Sequence, residues 1–557
     1  MLRKEKVNFI SEELNKLYPK TPTPLTHQNK FELLIAVLLS AQCTDERVNK
    51  ISPILFKVAN NPFKMEKISK EKIYSIIKPC GLGPQKSKAI SELSKILVKE
   101  FNGNVPRTFK ELEKKIKSKE IDTVLVSLSD MQGRLVGKRV TGKAFLDYVH
   151  KETHFCDYLY TVDMDMYTVP GFKSSSWETG YGDMTVKPDQ RTIKVLPWLE
   201  KTALVLGDAF QHDGKTPVSH STRQVLREAI IKANKMGFEP MLGSELEFFL
   251  FKQTYEDIHS SYYKNLKETS WYIEDYMIFQ TSKEEPFNQE LRNSLLDSGI
   301  YVECTKGEAS PGQQEINVVF TDALNMADNH ILIKNAAKEI AFKHNRAVSF
   351  MAKYKQDFCG SSCHIHNSLF DKKTKKNIFS DTKDKYGMSK IFKSYVAGQI
   401  LFLRDLSIFL APNVNSYKRF QESSFAPTSA AWGIDNRTAG FRLAGHGSSI
   451  RIECRVPGAD VNPYLAFAGL IQAGLYGIEN KLELEEPLSG NIYQNRKAKN
   501  VPGTLYEAIE LAKKSKLLPK IFHSDVLDHY IHAAKWEQSE YDKSVNDWEH
   551  RRYFERG

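Results

Sequence analysis

The sequence predicts an α+β protein with an extra all-α segment at its start. Three observations lead there. Up to about residue 117, apolar residues recur at helical spacing between short polar turns. From residue 118 onward, short strands and Gly-rich turns take over, followed by a long helical run at 219–235. The charge changes at the same place: the whole of the +11 excess falls in residues 1–117, and the remainder is neutral. Three parts are therefore expected: 1–117, 118–215 and 216–557.

Composition narrows the class. With 41% hydrophobic and 26% charged residues, the 557-residue chain has the balance of a soluble globular protein. Its seven Cys are scattered; Cys359 and Cys363 form a C-x₃-C pair, with no second pair to complete a zinc cage. This pattern predicts neither a disulfide framework nor structural zinc, and it suits a reducing cytoplasm. The apolar run from Phe31 to Ala41 contains Glu32, starts late for a signal peptide and is too short to span a bilayer.

In the first segment the spacing predicts helices over 6–17, 29–40, 45–58, 70–78 and 84–100, the last stopped by Asn102-Gly103. Leu38-Leu39-Ser40-Ala41-Gln42-Cys43-Thr44-Asp45 with Val48-Asn49-Lys50 resembles the endonuclease III family of DNA glycosylases. Gly81-Leu82 with Ser87-Lys88-Ala89, and Phe101-Asn102-Gly103-Asn104-Val105-Pro106, follow in the same family's order. The resemblance implies that Gln42 and Leu82 lie where that family wedges residues into DNA. It ends after Leu112-Glu113-Lys114. The family's helix-hairpin-helix with its catalytic Lys, its catalytic Asp and its four-Cys cluster have no counterpart. Base excision needs a nucleophile or base at an extruded nucleotide, so this segment is not expected to repair DNA. Its charge supports weak binding to a phosphate backbone. An incomplete helical core is marginal, so residues 1–117 are expected to be dispensable and a chain starting near Ser118 to fold alone.

In the second part, 121–128 reads as a strand, Asp130–Arg134 as a turn and 135–140 as the next strand. The helix over 219–235 is capped by Ser221 or Thr222 and followed by Gly237. Then comes the stretch around which the rest is organised, Met241–Phe251. As a strand it puts Leu246, Phe248 and Leu250 on one face and Glu245 and Glu247 on the other. Carboxylates two apart lie roughly 6.6 Å from each other along a strand. At an effective dielectric of about 20 they repel by roughly 2.5 kcal/mol. Such a pair calls for water or cations.

The chain repeats this device. Glu308 and a Pro311-Gly312 turn lead into Gln313–Val318, which carries Glu315. In Ser361–Leu369, Ser362, His364, His366 and Ser368 share a face. In Ile450–Val456, Arg451, Glu453 and Arg455 do. Five carboxylates with one or two imidazoles are too hard and too anionic for zinc and suit Mg²⁺ or Mn²⁺. Arg419, Arg437, Arg442 and Arg455 supply forks for phosphate and carboxylate. Metals with arginines make a phosphoryl-transfer site. The sequence has no P-loop, no G-x-G-x-x-G and no kinase catalytic loop.

Together these stretches resemble the glutamine synthetase family. Gly243–Phe251 fits G-x-E-x-E-F-F-L-F, Glu308–Glu315 fits E-x-x-P-G-Q-x-E and Gly360–Leu369 fits G-x-x-x-H-x-H-x-S-L. Asn415–Arg419 is N-S-Y-K-R, Asn436-Arg437 with Arg442 fits the arginine pair, Arg451–Arg455 fits R-I-E-x-R and Asn462–Leu465 is N-P-Y-L. The resemblance implies a β-grasp-like N-domain and a catalytic domain with a curved sheet, assembled into a ring with active sites between subunits. It implies one metal on Glu247, Glu308 and Glu315 and another on Glu245, His364 and Glu453. It places ATP at Glu303, Phe320, His366 and Ser368, its phosphates at Arg437 and Arg442, and glutamate at Gly360, Arg419 and Arg455. Arg437, Glu247 and Glu308 would be catalytic. The implied reaction transfers the γ-phosphoryl of ATP to the γ-carboxylate of glutamate, and an amine then displaces phosphate.

The departures are informative. The flap position that carries a catalytic Glu in the family is Phe425 here. No Asp stands in Gly171–Ser176 where the family attracts ammonium, Cys359 replaces an Asn and Ser448 a Lys. With the tail motifs Trp536-Glu537-Gln538 and Asp547-Trp548-Glu549, this pattern resembles the γ-glutamylpolyamine or γ-glutamylputrescine synthetase branch. The expected second substrate is therefore an organic amine such as putrescine, a longer polyamine, ethanolamine or methylamine, held against Phe425. The alternatives are an ordinary glutamine synthetase in which Glu422 serves the flap, and a DNA-binding or repair protein working through residues 1–117.

Overall fold

The structure is a computed structural model and describes residues 24–101, 109–495 and 497–557. The expected helix over 6–17 and the Asn102-Gly103 stop lie outside those residues. The chain divides into two compact units, 1–106 and 107–557.

The first unit is helical: Lys30–Ser40, Asp45–Val58, Pro62–Met65, Lys70–Ile77, a 3₁₀ turn Lys78–Cys80 and Gly83–Phe101. Side chains of Asn29, Asn61 and Ser69 accept the free N–H groups that open three of these helices. Ile35, Leu39, Val48, Leu55, Ile73, Ile77 and Ile90 form its own core. Two loop residues, Gln42 (φ 55°) and Leu82 (φ 49°), adopt the left-handed conformation. Buried Lys86 donates to Leu39 O (2.8 Å) and Cys80 O (2.7 Å), satisfying carbonyls beside both loops.

The division falls at Pro106/Arg107, not at 117. The helix Phe109–Lys117 belongs to the second unit: Leu112 is buried in the main core, and Phe109 lies 4.8 Å from the His150 ring. The charge asymmetry misplaced the boundary because this helix points Lys110, Lys114 and Lys117 outward while burying Leu112.

The second unit holds two sheets. The smaller runs Leu135–Thr141, Thr123–Ser129, Thr202–Phe210, Asp183–Pro188, Thr153–Cys156, with Lys194–Val195 also on Thr202–Phe210. Thr123–Ser129 is antiparallel to its hairpin partner and parallel to Thr202–Phe210, and both of its faces are buried. Among the described residues the larger sheet has nine strands. Its path is Trp432–Ile434, Phe441–Ala444, Arg451–Cys454, Cys363–Asp371, Phe238–Phe251, Gln313–Val318, Val302–Gly307. The organising strand thus starts earlier than read from sequence and sits inside the sheet.

Helices Thr222–Lys235, Ala323–Lys343, Lys390–Phe402 and Pro463–Glu479 contribute to one continuous core with both sheets. Two of them approach until a Cβ on Gly398 would meet Ala473 O at 2.1 Å, so that crossing requires glycine. Buried Arg223 forks onto Asp328 (3.0 and 2.9 Å) and also reaches Asp208 (2.5 Å), tying helix 222–235 to helix 323–343 and strand 202–210. Among the described residues no helix is long and apolar enough to cross a membrane.

Candidate functional site

Register brings the polar residues together. Across the larger sheet Glu245 pairs with His364 and Asn317, Glu247 with Glu315, His366 with Glu453, Arg442 with Glu453 and Lys306 with Glu315. Paired side chains on neighbouring strands stand about 4.5–5.5 Å apart at Cβ. A one-residue slip would turn the whole set to the other face.

Two clusters result. In each, Glu247–Glu308–Glu315 and Glu245–His364–Glu453, potential ligand atoms lie within 4.8 Å of one another. In the first, Glu247 Oε2 accepts from Ser362 N–H (2.8 Å) and Gln313 Nε2 (3.1 Å), and Asn317 Nδ2 donates to Glu315 Oε1 (2.8 Å). Burial, then the Glu308 carboxylate, pushes Glu247 up to about 7. Burial, then Glu247 and Glu245, pushes Glu315 up to about 9. Burial opposes ionisation of Glu308 as well, but hydrogen bonds from Glu315 and Lys306 hold it below the usual range.

The second cluster is better supplied with cations. Glu453 accepts from Arg442 Nη1 (2.7 Å) and Arg455 Nη1 (2.5 Å), and Glu245 lies 2.5 Å from His366 Nε2 and 3.2 Å from His364 Nδ1. Burial works against Glu453, yet His364, His366 and Arg455 hold it at about 2. Glu245 is half-buried; desolvation works against its charge, yet His364 and His366 hold it well below the carboxylate range. Burial lowers His364, which keeps its imidazole neutral.

The donor set fits divalent cations. Three carboxylates crowd one point, and His364 Nε2 is buried without a hydrogen-bond partner. A dication would reverse the penalty on Glu247 and Glu315, and in the second cluster His364 Nδ1 faces both Glu245 (3.2 Å) and Glu453 (3.5 Å), as a ligand nitrogen would.

The other expected residues are distributed around these clusters. Arg419 is fully buried, donating to Val456 O (2.7 Å), Ser362 Oγ (2.8 Å) and Arg455 O (3.0 Å); its Nε is the donor left over. Gly360 packs so closely that a Cβ would meet Ala352 O at 2.5 Å and Arg419 Cγ at 2.6 Å. Buried Arg455 also donates to Arg437 O (3.2 Å), which draws the Arg437 loop to the second cluster while its side chain stays exposed. Phe320, half-exposed, flanks Gly243 together with His366, and Ser368 Oγ donates to Met241 O (3.4 Å). Glu303 is exposed on strand Val302–Gly307. Phe425 is 57% exposed at φ 58°, on a turn where Ser423 is also left-handed.

Sequence reading missed Tyr493 and Lys306, and it gave Arg451 a place on the polar face without its contact. Tyr493 Oη donates to Ala426 O (3.1 Å), bracing the turn beside Phe425. Arg451 Nε donates to His366 Nδ1 (3.1 Å), which fixes that ring. Lys306 donates to the Glu308 carboxylate. For Lys306 a signal was available: it stands two residues before Glu308, near the end of the strand that leads to it.

This fold and site define a class: an open, mainly antiparallel sheet with two paired acidic clusters, ringed by arginines, built to gather cations and anionic oxygens. Residues 219–553 match the family described as the glutamine synthetase catalytic domain. The chain is 45% identical over 452 residues to γ-glutamylethanolamide synthetase GlnA4 of Streptomyces coelicolor, covering 81% of this chain and 96% of that one. It is 35% identical over 444 residues to glutamate–isopropylamine ligase of a Pseudomonas species, covering 79% and 96%. A solved GmaS/ADP complex superposes with a TM-score of 0.70 at 24% identity, over 80% of this chain and 99% of that one. Residues 35–209 match the HhH-GPD superfamily of base excision DNA repair proteins. The chain belongs to the glutamine synthetase family and is a ligase of that family, whose enzymes use ATP and divalent metal ions.

Proposed function

We propose that this enzyme joins the γ-carboxylate of glutamate to a small alkyl or hydroxyalkyl amine, using ATP, through a γ-glutamyl phosphate. One observation carries the reading. The carboxylate–imidazole–arginine clusters are complete, while the flap beside them presents the exposed ring of Phe425. The relatives named for an ethanolamide and for isopropylamine support it. Putrescine and longer polyamines remain candidates for the same pocket.

Glu247, Glu308 and Glu315 would hold one Mg²⁺ or Mn²⁺, and Glu245, His364 and Glu453 the other. Bound there, the metals supply charge neutralisation on the phosphoryl oxygens. Glu303, Phe320, His366 and Ser368 bind the nucleotide, and Arg437 and Arg442 bind its phosphates. Exposed Arg437 is free to swing onto the transferring phosphoryl group. Gly360 leaves room beside buried Arg419, and Arg455, fixed between Glu453 and the Arg437 carbonyl, positions the glutamate. Phe425 gives the carbon chain of the amine an apolar face and gives its cation a ring, worth roughly 0.5–2 kcal/mol. The cation gives up one proton to solvent, the free amine's lone pair attacks the acyl phosphate carbon, the carbon–oxygen bond to phosphate breaks, and the second N–H proton leaves with the phosphate. We further propose a cytoplasmic homo-oligomeric ring with sites between subunits.

The test is phosphate release with glutamate, ATP and Mg²⁺ across ammonium, methylamine, isopropylamine, ethanolamine and putrescine. The expected result is a higher kcat/KM for at least one alkyl amine than for ammonium. Preference for ammonium over all of them overturns the proposal.

A further inference from the structure

A lysine lies in a cation-binding cradle beside the first acidic cluster. Lys306 Nζ donates to the Glu308 carboxylate and to Gly307 O (3.2 Å), and Asp275 Oδ1 lies 3.5 Å away. The same ammonium sits over the Tyr276 ring, 4.6 Å from its centroid. Two carboxylates and an aromatic face are the groups that bind a small ammonium ion. Here they surround an ammonium that is part of the chain, and the Lys306 side chain is only 19% exposed.

The cradle is built at a conformational cost. Tyr276 takes φ 58°, a left-handed backbone disfavoured for an aromatic residue, with its side chain largely exposed. Tyr276 stands third in a turn closed by Met277 N–H donating to the Glu274 carbonyl (2.7 Å), a position that takes positive φ, and the turn holds its ring under Lys306. Its loop is anchored to the acidic cluster, since Glu274 N–H donates to the Glu308 carbonyl (3.3 Å). The neighbouring Trp271, Tyr272, Met277, Ile278 and Phe279 are exposed, giving the cradle an aromatic and apolar rim.

We propose that Lys306 is a specificity-determining residue: its ammonium occupies the cradle of Glu308, Asp275 and Tyr276 and so excludes free ammonium as the second substrate. The inference rests on the amine-ligase reading above. Ammonium has no carbon to place on a ring, so its binding must come from carboxylates and ring faces, and Lys306 holds those groups already. An alkyl amine carries the same charge but gains from contact with the apolar rim. The lysine therefore selects against ammonium more than against a substituted amine.

The experiment measures one ratio, kcat/KM for ammonium divided by kcat/KM for the best alkyl amine, in the full-length protein. Lys306→Met keeps the chain length and removes the charge; the ratio is expected to rise at least tenfold. Lys306→Arg keeps the charge, and its ratio should stay within about twofold of wild type. Lys306→Gln removes the charge while keeping a polar chain, and it should raise the ratio several-fold. An equal loss for both substrates, or a ratio unmoved in both Lys306→Met and Lys306→Gln, overturns the proposal. If the wild-type enzyme itself prefers ammonium, the amine-ligase reading falls. If wild type prefers an alkyl amine and the variants do not shift the ratio, only this inference falls.

Discussion

Acidification from pH 7 to 4 should destabilise the second unit through one buried pair of imidazoles. The rings of His220 and His529 stack at 4.2 Å and 23° and are 9% and 6% exposed. Phe172 lies 4.5 Å from His529, Tyr160 is edge-on to His220 at 5.8 Å, and His529 Nε2 is 3.1 Å from Met131 Sδ. Burial pulls His220 down to about 4, with Asp525 pulling weakly the other way. His529 falls well below its ordinary value through burial, then through His220 and His532. An unfolded imidazole titrates near 6.5. Between about 4 and 6.5 the unfolded chain therefore binds more protons, and the stability due to His220 is complete above 6.5 and drains as pH falls. The gap corresponds to about 3 kcal/mol at full protonation. His529 acts in the same direction.

Glu247 and Glu315 act with the opposite sign. Their raised folded values give stability at low pH that is lost as pH rises above about 4.5. A single pH curve mixes the two effects, so the measurement is a difference. Thermal midpoints of wild type and of His220→Gln/His529→Phe should be compared at saturating Mg²⁺ from pH 4 to 7.5. With roughly 2 cal/mol/K of unfolding entropy per residue, the wild type should lose about 3 °C more than the variant on acidification. Parallel curves would refute the assignment.

Two further outcomes are expected. Glu247→Gln and His364→Ala should each lower metal-dependent ADP release by about a hundredfold or more and weaken Mn²⁺ binding by calorimetry; undiminished release in both would remove the two-metal assignment. A chain beginning at Arg107 should keep the thermal midpoint of the second unit. One beginning at Ser118 should lose several degrees, because it drops buried Leu112 from the core at about 2–4 kcal/mol; equal midpoints would show that the helix Phe109–Lys117 contributes nothing.

Periodicity read the strand faces correctly. Residues two apart that share a polar face in sequence line up across Phe238–Phe251, Cys363–Asp371, Gln313–Val318 and Arg451–Cys454. Period two fixes the face, while strand order depends on the whole core, so the order was not legible. The boundary at 117 failed because net charge reports the solvent side of a helix and is blind to a single buried Leu112. The contacts of Tyr493 and Tyr276 were invisible because they are made by irregular loops, which have no period.

The two sides of the site are built by different means. The cation side is set by strand register and by Arg442 and Arg455, which lock Glu453 from two directions. Such a site is rigid and indifferent to what attacks the acyl phosphate, because phosphoryl transfer looks the same for any acceptor amine. On the proposals above, discrimination falls where the chain is least regular: in the Tyr276 loop and in the turn at Phe425, each with left-handed non-glycine residues and exposed rings. Strand motifs identify the family through the cation side. The choice of amine depends on loop contacts that those motifs do not encode, so sequence reading could reach an amine ligase without reaching its amine.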